Sequence, residues 1–60
     1  MITREQLMNY ITDHGHAVDH AHTDQNTIRV LDRATLQGKL IETWINIPAT
    51  FRDVRIWLGY

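Results

Sequence analysis

Leu40-Ile41-Glu42-Thr43-Trp44-Ile45-Asn46-Ile47 is the stretch that decides the fold. Its β-branched and aromatic residues favour extended backbone. Its period-two alternation puts Ile41, Ile45 and Ile47 on one face and Leu40, Glu42, Trp44 and Asn46 on the other. Pro48 has no N–H to give to a ladder and ends the run. Upstream, residues 27–34 read as a second strand, with Ile28 and Val30 on one face and Arg29, Leu31 and Arg33 on the other. Gln37-Gly38-Lys39 between the two is a turn signal, so the strands pair antiparallel.

Outward from this hairpin the chain turns helical at both ends. Thr3-Arg4-Glu5-Gln6 is a capping box with Ile2 and Leu7 placed as a hydrophobic staple. Leu7, Met8, Tyr10 and Ile11 follow at helical spacing, and Gly15 supplies a stop, which predicts a helix over residues 4–14. Thr50 caps a second helix with Asp53 at its third position. Phe51, Val54, Trp57 and Leu58 form its apolar stripe, Arg52 and Arg55 face away, and Gly59 ends it. Residues 16–22, His-Ala-Val-Asp-His-Ala-His, are the least specified: Ala and His form strands poorly, yet the alternation suits an edge strand. The expected fold is one α+β domain over residues 1–60, ordered α-β-β-β-α, with an antiparallel meander and both helices packed on one sheet face.

Composition narrows function. With 60 residues, no Cys and 43% hydrophobic residues, the chain is globular but only marginally stabilised by its own core, which favours self-association. A net charge of −1 disfavours generic nucleic-acid or anionic-membrane binding. No apolar run reaches the ~20 residues of a bilayer span. The opening Met1-Ile2-Thr3-Arg4-Glu5-Gln6 lacks the shape of a signal peptide, and the absence of Cys suits a reducing compartment, so a cytoplasmic location is expected. There is no Ser, no Cys and no glycine-rich phosphate loop; a non-enzymatic protein without a cofactor is expected.

Two constellations stand out. His14-Gly-His16 and His20-Ala-His22, with Asp13 and Asp19 nearby, have the donor chemistry of a metal site. The plainer reading, a polar edge segment, is preferred, and no metal is expected. The second is Trp44 and Leu40 beside Leu31, flanked by Arg29 and Arg33, on the face turned away from the helices. Trp and Arg dominate binding hot spots, and Arg pairs directionally with anions. This face is therefore the candidate surface for a second copy, a small anionic ligand or a host protein, with Trp44 as ordinary core the competing reading. Arg52 and Arg55 offer a weaker alternative, contact with DNA or a virion component.

The tail Ile47-Pro48-Ala49-Thr50-Phe51-Arg52-Asp53-Val54-Arg55-Ile56-Trp57-Leu58-Gly59-Tyr60 resembles the ending of small uncharacterised proteins encoded by phages and prophages. The resemblance rests on a Pro-led helix ending in Trp-Leu-Gly-Tyr and covers the last quarter of the chain. It implies a short accessory protein acting inside a bacterium by binding: sequestering a ligand such as a nucleotide signal, or blocking a host-defence protein. It carries over no site residue.

Overall fold

The computed structural model describes residues 1–60. The elements run α1 (Arg4–Asp13), β1 (Thr27–Leu36), β2 (Lys39–Pro48) and α2 (Phe51–Leu58). Helix α1 starts where its caps dictate. Thr3 Oγ1 accepts from the Gln6 amide at 3.1 Å, and Gln6 Oε1 accepts from the Thr3 amide at 2.9 Å. Gly15 follows the helix at φ 84°, where a residue with a Cβ is strained. The capping signal is thus realised, with Leu7 buried and Ile2 partly exposed at the helix start. Helix α2 begins with Thr50 Oγ1 accepting from the Asp53 amide at 3.1 Å and ends at left-handed Gly59.

Strands β1 and β2 form an antiparallel hairpin in which Leu36 pairs with Lys39 across the two-residue loop Gln37-Gly38. Both loop residues have positive φ (52° and 77°), the geometry of a type I′ turn, whose twist matches that of the strands it joins. The ladder continues through Ala34–Ile41, Leu31–Trp44 and Ile28–Ile47 to Thr27–Pro48. Side chains of one pair share a face. Ile28, Val30, Ile41, Ile45 and Ile47 therefore lie together, and Arg29, Leu31, Arg33, Leu40 and Trp44 lie on the reverse face.

The sheet has two strands, not the three expected. Residues 16–22 supply a single bridge, Val18 to Val30, in which the Leu31 amide donates to Ala17 O and the Asp19 amide to Arg29 O. The extension stops there for a local reason. Asp19 Oδ1 accepts from the Ala21 amide at 3.0 Å, an Asx turn that bends the chain away from β1. Arg4 then ties the returning loop to α1, donating from Nε to Thr27 O and from Nη2 to His22 O, each at 3.0 Å.

One core holds the molecule together. Leu7, Met8 and Ile11 of α1, Ile28 and Val30 of β1, Ile47 of β2 and Val54 of α2 are buried in a single cluster, with Tyr10, Val18, Ile45, Trp57 and Leu58 packed around it. The core is shorter than the hairpin. Ten-residue strands reach roughly 33 Å, whereas helices of eight and ten residues span only about 12–15 Å. Alternation puts Ile41 on the helix-facing side with Ile45 and Ile47, but Ile41 lies beyond the reach of the helices and is 42% exposed. The distal hairpin, residues 33–42, is exposed throughout and gives the molecule its 41 Å long axis. No helix is long and apolar enough to cross a membrane.

Candidate binding face on the hairpin

The reverse face of the hairpin gathers the five residues singled out in the sequence. Leu31 and Trp44 are direct cross-strand partners, so their side chains meet on this face. Leu31 is half-buried, while Trp44 remains 41% exposed and Leu40, nearer the tip, 62% exposed. Trp44 is therefore not a core residue. The Arg29 guanidinium lies 5.9 Å from the centre of the Trp44 ring, within cation–π range.

Both arginines have acidic partners, which residue parity on the strands does not by itself reveal. Arg29 Nε lies 3.6 Å from Asp19 Oδ2, and Arg33 Nε donates to Glu42 Oε2 at 3.2 Å, directly across the ladder. All four groups are partly exposed, so each pair adds little stability. Their effect is on the character of the face, since little uncompensated positive charge remains beside Trp44. Glu42 could have been found from the strand register alone. Asp19 could not, because its position depends on the bridge at Val18.

The opposite face of the distal hairpin carries a second apolar group. Leu36 and Ile41 are exposed there, beyond the helices. Nearer the core, Trp57 Nε1 donates to Asp32 Oδ1 at 3.2 Å, and the His16 ring packs edge-on to Trp57 at 4.8 Å. Asp32 falls on the face that carries the isoleucines, and a carboxylate in that position needs a donor from the covering layer. That was the available signal for the role of Trp57 as a polar contact as well as an apolar one.

The histidines are dispersed. His14 Nδ1 lies 2.7 Å from Tyr10 O, and its ring sits between those of Tyr10 and Tyr60. His16 faces Trp57, His20 is exposed, and His22 Nε2 pairs with Thr27 Oγ1 at 2.8 Å. No three His, Asp or Glu side chains converge on a common point. The nearby Asp24 carboxyl is held below its ordinary pKa of 3.8, first by the hydrogen bond it accepts from the Asn26 amide and then by one from Thr27 Oγ1. Arg52 and Arg55 are exposed on α2, with Arg55 5.7 Å from the Phe51 ring centre.

No cavity opens anywhere in the molecule, so whatever meets the reverse face meets an open surface. The chain matches no protein-family model, no curated protein and no solved structure.

Proposed function

We propose that this chain is a non-enzymatic binding protein that self-associates and acts by occupying a target protein through the reverse face of its hairpin. The observation that carries this reading is the reverse face of the hairpin arm, which holds Leu40, in the distal half beyond the core, and Trp44, nearer the base, exposed to solvent. Exposed Trp and Leu on a backbone braced by a ladder have little conformational freedom to lose on docking, which favours affinity. Because Arg29 and Arg33 are already paired with Asp19 and Glu42, a protein surface suits the face better than a small anion or a nucleotide. Such a ligand would also want an enclosing pocket. On the phage-type resemblance of the C-terminal helix, the target is a host-cell protein such as a defence factor, which the chain blocks by occupancy.

The test is native mass spectrometry of complexes recovered from bacterial lysate, comparing wild type with Leu40→Glu and Arg52→Ala. A protein retained by wild type and by Arg52→Ala, and lost with Leu40→Glu, supports the reading. Retention that depends on Arg52 and ignores Leu40 would move the working surface to α2 and refute it.

A further inference from the structure

The two edges of the hairpin are not alike. In an antiparallel ladder, successive residues of a strand turn their backbone groups alternately toward the partner strand and away from it. On β1, Leu31 donates outward to Ala17 O, and Arg29 accepts outward from the Asp19 amide, so the proximal part of that edge is covered. The ladder partners of the outward residues Arg29, Leu31, Arg33 and Thr35 are Asn46, Trp44, Glu42 and Leu40. These four therefore turn their N–H and C=O groups to the outer edge of β2. No backbone or side-chain group of the chain bonds to them there.

We infer that this open edge pairs with the same edge of a second copy, antiparallel, with Glu42 opposite the partner's Trp44 and Leu40 opposite the partner's Asn46. This seam deepens the self-association included in the proposed function, and it lies on the edge rather than on the face assigned to the target. The register follows from self-complementarity. It engages all four outward residues of each strand, for about eight intermolecular hydrogen bonds, and places Thr43 on the two-fold axis. Sliding by two residues one way sets Glu42 against its own copy, a like-charge pair. Sliding the other way sets Leu40 against Pro48, which has no N–H to give.

The chosen register also answers the exposure of the arm. It lays the unsupported distal half of each hairpin beside the core-backed proximal half of the other, with Ile41 directly across from the partner's Ile45. Ile41 then continues the apolar row of Val30 and Ile45, joining two hairpins into a four-stranded sheet. A long uncovered edge is a hazard in a monomer; pairing it two-fold closes it.

The experiment needs no target protein, which keeps its outcome separate from that of the functional reading. Light scattering of the wild type is expected to give twice the mass of the chain. Asn46→Pro removes only an outward N–H and should give a monomer with an unchanged circular dichroism spectrum. The chain has no Cys, so single cysteines report the register under mild oxidation. Thr43→Cys should form a disulfide-linked dimer, because dyad-related residues in a non-hydrogen-bonded pair lie about 4.5 Å apart between Cα atoms, within disulfide range. Leu40→Cys should not, since its copy lies far along the strand. If Asn46→Pro unfolds, the Thr43→Cys cross-link still decides. A wild-type monomer at millimolar concentration, or cross-linking through Leu40→Cys but not Thr43→Cys, overturns the proposal.

Discussion

Ile28 and Leu36 occupy the same strand and the same face, yet one lies under the helices and the other beyond them. Truncating each to Ala isolates what the helical layer contributes. Ile28 is 0% exposed. Removing three carbons loses about 2.4 kcal/mol of transfer free energy at about 0.8 kcal/mol per carbon. A cavity of roughly 80 Å³ that failed to collapse would add about 2 kcal/mol at about 24 cal/mol per Å³. The expected loss for Ile28→Ala is therefore about 2–4 kcal/mol, against a total stability of about 3–9 kcal/mol for a domain of this size. Leu36 is 60% exposed, and Leu36→Ala should fall within about 0.5 kcal/mol of wild type. Urea unfolding followed by circular dichroism, at one protein concentration for all variants, measures both. Equal midpoint shifts for the two substitutions would show that the distal hairpin belongs to the core, and would refute the division of the hairpin into packed and projecting halves.

Further expectations concern local features. Thr3→Ala removes the acceptor for the Gln6 amide and should lower stability by about 0.5–2 kcal/mol, read from the thermal midpoint. Gln37→Asn places an Asn-Gly pair in a turn where residue 37 has φ 52°; it should raise the midpoint by up to about 1 kcal/mol equivalent, since Asn tolerates the left-handed region better than Gln. Trp57→Phe keeps a ring available to His16 but loses the bond to Asp32, and should cost about 1 kcal/mol in urea titration. Asp24 has its pKa depressed on folding, so the folded state favours its ionised form. The stability it contributes is present above its unfolded pKa and is lost as pH falls through its folded pKa. Asp24→Asn should therefore flatten the acid limb of a melting-temperature profile, and an unchanged limb would exclude that contribution.

The legible parts of the fold were those set by neighbours in sequence. Thr3 with Gln6, Thr50 with Asp53, and Gly38 within its turn act over two or three residues, and the alternation of residues 40–47 sorted both hairpin faces. What escaped depended on distances the pattern does not encode. Periodicity says which face Ile41 occupies, but not that the helices end before reaching it. The alternation of residues 16–22 suited a strand, yet one Asx turn at Asp19 limits the pairing to a bridge. At the candidate face, the membership of Arg29, Leu31, Arg33, Leu40 and Trp44 followed from parity alone. The ion pairs that offset its charge required the register and the position of the loop.

The ladder has a temporal implication as well. Leu36 and Lys39 are separated by three positions in sequence, Thr27 and Pro48 by twenty-one. Loop-closure entropy therefore favours zipping from the turn toward the base. Burial runs in the reverse direction, because Ile28, Val30 and Ile47 all lie at the base. The contacts that close most readily are thus not those that hold the native state. In kinetic terms, turn chemistry at Gln37-Gly38 should act mainly on the rate of folding, and side-chain packing at the base mainly on the rate of unfolding.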